Sequence, residues 1–303
     1  MSESATDGRR RYATASLALV VAVVAVSWAA ILVRLCEAPS LGIAFYRLLF
    51  STLVMLPWGI RASGKASPRV YALAATAGVL LGLHFATWIS SLEYTTVASS
   101  VVLVSTQPVF TAVLGPFFLR ERPGPVGWVA VALALGGTAI LAGGDWGAGG
   151  AAVVGDLLAL AGALTASVYL MIGRRVRESI PFARYLLVVY GSAAATVAVL
   201  AVGRGDPLVG YPAATWGWIA LLAIGPNLIG HGLLNWSVRR LRAFPVNLSI
   251  LGEPVLATLY AAFLFREIPG AIFYGGAVLI AVGVVLAVRE ESTLARGATA
   301  RPQ

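Results

Sequence analysis

Residues 247–267 read "NLSILGEPVLATLYAAFLFRE", an apolar run that carries a carboxylate, Glu253, and a helix breaker, Pro254, near its middle. Residues 101–121 read "VVLVSTQPVFTAVLGPFFLRE", and the two stretches align at a constant offset of 146. Pro108 then falls on Pro254, Val109 on Val255, Phe117 on Phe263, and Arg120-Glu121 on Arg266-Glu267. The register holds beyond the run, with Gly124 on Gly270 and Gly137 on Gly283, and His84 meets His231 with one residue of slippage. A helix break used twice at one register marks an internal repeat. What such a break does depends on the solvent around it.

Composition identifies that solvent. The chain of 303 residues is 59% hydrophobic and 12% charged, with a mean hydropathy of +0.85. Soluble domains carry roughly 25% charged residues, so this chain has too few to cover a water-facing surface. Apolar segments follow one another at 14–33, 41–60, 70–90, 97–119, 125–142, 154–172, 182–202, 215–236, 244–265 and 270–288. Each is close to the ~20 residues that cross a hydrocarbon core. Backbone groups in lipid must be satisfied within the segment, so these are helices. The expectation is an all-α polytopic membrane protein with ten transmembrane helices. The basic start "RRRYATASLALVVAVVAVSWAA" has the look of a signal peptide, but its apolar run is longer than a signal core and nine spans follow, so it reads as the first of them.

Loop charge orients the spans, because Lys and Arg collect on the cytoplasmic side. With the N-terminus inside, 18 of the 22 basic residues fall in cytoplasmic segments, among them Arg61, Lys65, Arg120, Arg122, Arg174, Arg184 and Arg242. Arg34, Arg47, Arg204 and Arg266 fall at or near the outer side. Both termini are therefore expected in the cytoplasm, in the plasma (inner) membrane. The net charge of +9 records this orientation, with no nucleic-acid partner required.

Five helices per repeat is an odd number, so the second copy enters the membrane from the opposite side. The expected organisation is a cytoplasmic tail at 1–13, a first repeat at 14–142, a Gly-rich connector at 143–153, an inverted second repeat at 154–288 and a cytoplasmic tail at 289–303. Inverted repeats are a transporter architecture with a midplane site between the halves.

The paired segments "TQPVFTAVLGPFFLRERPGPVGWVAVALALGGTAIL" (106–141) and "LGEPVLATLYAAFLFREIPGAIFYGGAVLIAVGVVL" (251–286) resemble the ends of EamA domains, of the drug/metabolite transporter superfamily. The likeness spans essentially the whole chain as two consecutive domains. It implies an exporter or exchanger of small metabolites, such as amino acids or drug-like organics. It also implies that helices 1–4 and 6–9 surround a cavity while 5 and 10 are peripheral. The sequence agrees independently: segment 5 has only Thr138 as a polar side chain, and segment 10 only the hydroxyl of Tyr274.

Intramembrane polar residues mark pathways or bundle contacts. Asn227, His231 and Asn235, at i, i+4 and i+8, form a stripe on segment 8, and segment 3 carries His84 and Trp88 at i, i+4. Each histidine has two readings, a satisfied interhelical hydrogen bond or a cavity wall. Arg47 shares a face with Ser51; it could snorkel, pair with Glu253, or clamp a substrate carboxylate. Arg34 reads as snorkelling. Trp28, Trp88, Tyr169 and Tyr260 could offer aromatic faces to a solute or be packing and interfacial anchors.

Glu253 lies roughly 15 Å along its helix at 1.5 Å per residue, where an ionised carboxylate costs on the order of 2.5–3.5 kcal/mol. It must be neutral, paired or wetted. Pro254 cannot donate to the Ile250 carbonyl and crowds it, which opens the helix there. Glu253 and Pro254 are thus a hinge or a proton-coupling site. In the first repeat the neutral Gln107 precedes Pro108, so any protonation cycle is one-sided. The expected partners are a small-molecule substrate, the lipid bilayer and protons as coupling ion. Cys36 is the single cysteine, and there is no metal-ligand spacing, nucleotide-binding motif or other cofactor signature. The sequence also lacks paired aspartates or a nucleophile turn, which argues against an intramembrane enzyme. An uncoupled facilitator of the same fold is the alternative.

Overall fold

The computed structural model describes residues 2–95, 100, 103–142, 150–265 and 271–299. Of the expected Gly-rich connector at 143–153, residues 143–149 lie outside the described residues, as do the repeated pair Arg266-Glu267 and the chain end at 300–303, while residues 150–153 already belong to a helix. Among the described residues there are thirteen α-helices, one π-helix and no strand. In chain order they are α1 (Ser2–Val26), α2 (Ala29–Arg34), α3 (Ser40–Arg61), α4 (Pro68–Ser91), α5 (Gln107–Phe118), α6 (Pro125–Ala142), α7 (Gly150–Val176), α8 (Phe182–Arg204), α9 (Ala213–Leu222), the π-helix Ala223–His231, α10 (Gly232–Ser237), α11 (Ala243–Ser249), α12 (Gly252–Phe265) and α13 (Ala271–Thr299).

Six of the spans have membrane length and composition: Ala13–Arg34, Ser40–Arg61, Pro68–Ser91, Ala152–Val176, Phe182–Arg204 and Ala213–Ser237. Four shorter apolar stretches complete the set, Gln107–Phe118, Pro125–Gly137, Val246–Ala257 and Tyr274–Ala287. All ten fall on the ten apolar runs of the sequence. This is a multi-pass membrane protein.

Local chemistry sets the helix ends. Ser67 caps α4, its hydroxyl accepting from Val70 N at 3.4 Å, and Pro68 occupies the first turn, where no backbone donor is needed. Gly205 ends α8 in the left-handed region at φ 78°, where a side chain would be strained. The two prolines of the repeated motif each begin a new helix after a break. α5 opens with Gln107-Pro108 after a turn at Ser105-Thr106, and α12 opens with Gly252-Glu253-Pro254 after α11 ends at Ser249. Pro254 cannot donate to the Ile250 carbonyl, yet that acceptor is not left free. That carbonyl accepts from Glu253 N at 2.8 Å, because a tight i→i+3 turn supplies the donor that proline cannot.

The helices pack through small residues. A Cβ on Gly137 of α6 would stand 2.5 Å from the Gly276 carbonyl of α13, and one on Gly283 of α13 would stand 2.7 Å from the Ala130 carbonyl of α6. Adding 146 to 130 gives 276, so these contacts exchange under the repeat register. The numbering rises on one helix as it falls on the other, so α6 and α13 run antiparallel. α3 and α4 pack on α8, α4 packs on α7, and α1 packs on the π-helix. Exposed aromatic side chains also follow the register, with Phe117 81% and Phe263 86% exposed.

The two ends of the bundle differ in charge. One end gathers Glu93, Arg204 and Asp206, with Glu93–Arg204 at 2.7 Å. The other gathers Arg174, Arg242 and Arg184 around Glu121 and the α3 terminus. There Glu121 accepts from Arg174 Nε at 3.2 Å and from Ala243 N at 3.0 Å, joining the end of α5 to α7 and to the start of α11.

Candidate functional site

A cavity lies where both helix breaks meet the bundle interior. Its walls come from α1–α2 (Val26, Ala29), α3 (Arg47), α4 (His84, Phe85, Trp88), the first break (Val104, Ser105, Gln107), α7 (Tyr169, Leu170), the π-helix and α10 (His231, Leu234) and the second break (Ile250, Glu253). Among the described residues neither α6 nor α13 contributes a wall, in keeping with their apolar sequences. The space the cavity offers is about 30 Å³, which is room for a few waters.

Arg47 is fully buried. Its Nε and Nη2 both donate to Asn227 Oδ1, at 3.0 and 2.6 Å, and its guanidinium lies 4.0 Å over the Phe85 ring. Asn227 is held in turn: its Nδ2 donates to Ser51 Oγ at 3.2 Å, and its carbonyl accepts from Tyr190 OH at 2.9 Å. Arg47 therefore does not snorkel. Arg34 is exposed, as a snorkelling side chain is.

Both readings of the histidines hold together. His84 Nδ1 lies 3.0 Å from the Gly162 carbonyl, which can only accept, so that nitrogen carries a proton. His231 Nδ1 lies 3.0 Å from Tyr169 OH. Each bond is interhelical, yet both rings line the cavity, with centroids 6.2 Å apart. Trp88 stacks parallel to His84 at 6.2 Å.

The stripe expected on segment 8 divides. His231 faces the cavity, whereas Asn227 stands behind Arg47. Asn235 turns into helix packing, where its Oδ1 accepts from Tyr185 OH at 3.2 Å and its Nδ2 donates to the His231 carbonyl at 2.8 Å. The π-helix Ala223–His231 interrupts the regular α-helix, so the side-chain directions of Asn227, His231 and Asn235 do not follow one uniform 3.6-residue period. Pro226, which lacks an N–H, sits inside it.

The broken helices place Gln107 and Glu253 on the cavity wall and bury Pro108 and Pro254 beside them. The Gln107 carbonyl accepts from Ser167 Oγ at 2.8 Å, and Asn247 Nδ2 donates to Thr111 Oγ1 at 2.9 Å, tying the two halves of the break region together. Of the aromatics singled out in the sequence, Trp88 and Tyr169 are wall residues. Trp28 and Tyr260 stack on each other at 4.5 Å and line no part of the cavity. Phe85 and Ser105 are wall residues that carry no distinguishing sequence signal, being an ordinary aromatic and an ordinary hydroxyl. Among the described residues no group of three or more His, Cys, Asp or Glu could hold a metal ion.

The model of the EamA-like transporter family matches residues 13–143 and again 153–289. An uncharacterized transporter, YdfC, of Bacillus subtilis (strain 168) is 24% identical over 251 residues, 80% of this chain and 79% of its own length. An uncharacterized transporter of Archaeoglobus fulgidus is 24% identical over 284 residues, 90% of this chain and 96% of its own. A riboflavin transporter of Rhizobium johnstonii is 31% identical over 105 residues, 34% of each chain. A solved crystal structure superimposes with a TM-score of 0.75 at 22% identity, covering 93% of this chain and 99% of that one, and so shares its fold.

Proposed function

The chain belongs to the EamA-like transporter family, and from that premise we propose that it is a secondary transporter that moves small metabolites by alternating access around the buried cavity. The observation that carries this reading is that two helix breaks, equivalent at an offset of 146, both open onto one cavity, as Gln107 and Glu253. Broken helices at the interface of two repeats are how transporters bring polar backbone and side chains to a membrane-buried site. The mutual, antiparallel contacts of Gly137 and Gly283 support two inverted halves. The proposed flux is export or exchange of solutes such as amino acids or drug-like organics. The proposed setting is the inner membrane, with both termini cytoplasmic, an orientation that the basic end of the bundle supports.

In this mechanism Arg47, His84, Trp88 and His231 contact the solute, and the helix breaks at Gln107-Pro108 and Glu253-Pro254 are the hinges. Asn227 positions Arg47, and Asn235 anchors α10 through Tyr185. Glu253 combines hinge and proton acceptor; Gln107 is its neutral counterpart.

Proteoliposomes test the reading. Preloaded vesicles screened with labelled amino acids and small organics should show counterflow of at least one solute without chemical change to it. Glu253→Gln should lose accumulation driven by a pH gradient and keep exchange. Unchanged pH dependence in that variant would remove the proton role, and accumulation of nothing against a gradient would leave a facilitator.

A further inference from the structure

Two buried N–H donors on the cavity walls have no acceptor. Arg47 spends Nε and Nη2 on one neutral oxygen, Asn227 Oδ1, and its Nη1 is unpartnered. Trp88 Nε1 is unpartnered as well. Both residues line the cavity, at 0% and 5% exposure. Buried donors are nearly always satisfied, and a buried cation left short of acceptors is costlier still. Glu253 lines the same cavity, but among the described residues it forms no ion pair with Arg47. The wall mixes polar groups, His84 stacked on Trp88 among them, with apolar surface: Phe85 under the guanidinium, Val104, Leu170 and Ile250.

We propose that the solute bound here, once the two halves part and widen the present space of about 30 Å³, is an organic monocarboxylate, its charged oxygens taking the Arg47 Nη1 and Trp88 Nε1 donors and its apolar part lying against Phe85 and Trp88. The proposal deepens the transport reading above and rests on it only in calling the ligand a transported solute. A carboxylate suits the site better than a neutral acceptor, because it supplies charge as well as lone pairs to the guanidinium. The titratable groups around Arg47 are Glu253, His84, His231, Tyr169, Tyr190 and Cys36. With Glu253 protonated, no protein carboxylate on the wall balances Arg47, and an incoming carboxylate restores neutrality. Proton and anion would then occupy the cavity together.

Binding to the full-length protein in nanodiscs tests this with phenylacetate against phenylacetamide, and hexanoate against hexanamide, by equilibrium dialysis and thermal shift. The amides should bind at least about tenfold more weakly, the scale of one charge-assisted hydrogen bond. Arg47→Gln should erase the preference. Because that variant could lose its fold, Trp88→Phe is the companion: it keeps a ring, removes the N–H, and should weaken carboxylates more than amides, whose neutral oxygen is the weaker acceptor. Equal binding of acid and amide, or binding of neither pair to folded protein, overturns the proposal. Carboxylates that bind but never cross vesicle membranes would count against transport and leave the site standing. Neutral solutes carried while carboxylates do not bind would do the reverse.

Discussion

Arg47 of α3 donates twice to the Oδ1 of Asn227, through Nε at 3.0 Å and Nη2 at 2.6 Å, and the acceptor sits inside the π-helix. A fully buried guanidinium is thereby aimed by a neutral side chain, which fixes its direction without cancelling its charge. Removing that acceptor strands two charged donors. Asn227→Ala should lower stability by about 1.5–3 kcal/mol, the range for hydrogen bonds to charged groups. Thermal unfolding in nanodiscs measures it. Asn227→Asp should keep the geometry and, by neutralising Arg47, abolish any preference for carboxylates over amides.

The antiparallel α6–α13 contact gives a prediction with its own control. A Cβ at Gly137 or Gly283 would run into backbone of the other helix, at 2.5 and 2.7 Å, whereas a Cβ at Gly136 meets nothing within 4 Å. Backbone cannot step aside as a flexible side chain can. Gly137→Ala and Gly283→Ala should each cost about 1–3 kcal/mol, the usual penalty of overpacking. Gly136→Ala should be neutral or gain a few tenths, since alanine is the better helix former. Unequal effects at 137 and 283 would argue against a two-fold relation between the contacts.

How much of this was legible in the sequence follows from the range of the forces involved. The ten spans could be read because hydropathy over a segment is a local sum. The two breaks could be read because proline's missing donor acts within one turn. The paired glycines were visible as a repeat, but their partners were not, since which helix faces which is set by packing across the bundle. The Asn227, His231, Asn235 stripe assumed regular α-helical spacing. Gly225, Pro226 and Gly230 signal irregularity there, but the π-helix that results is set together with the contacts between Asn227, Arg47, Ser51 and Tyr190. Arg47 was a three-way choice in the sequence because snorkelling and burial differ only in which way the helix is rotated. Asn227 as its acceptor, 180 residues away, had no local signature.

Glu93 follows α4 outside the spans and predicts a pH dependence. Partial burial pushes its carboxyl up, but the hydrogen bonds from Arg204 and Ser40 and the Arg204 charge outweigh that and hold it below its ordinary value of 4.5. A depressed carboxyl contributes stability above its unfolded pKa and loses it as pH falls through the lower folded value. The protein should therefore lose part of its stability on acidification below 4.5, and Glu93→Gln should flatten that part of the profile. At pH 7 the variant should be only slightly less stable, since solvent screens so exposed a pair. Unfolding temperatures of both proteins across this pH range decide it, and identical acid slopes would count against the ion pair.

Orientation can be read from two exposed positions at opposite ends of the bundle. Lys65 lies in the loop after α3, beside Gly64, whose carbonyl accepts from Arg184 at the basic end. Val209 is 75% exposed in the loop after α8, next to Leu208, whose carbonyl accepts from Tyr46 OH at the end that holds Glu93 and Arg204. Positive loops are retained in the cytoplasm during insertion, so the two ends should face opposite compartments, with Lys65 inside. In a Cys36→Ser background, Val209→Cys should react with a membrane-impermeant maleimide on intact cells, and Lys65→Cys only after permeabilisation. The opposite labelling would invert the topology and place both termini outside. Labelling of both from one side would break the alternation of spans between them, and with it the odd-numbered repeat on which the inverted halves depend.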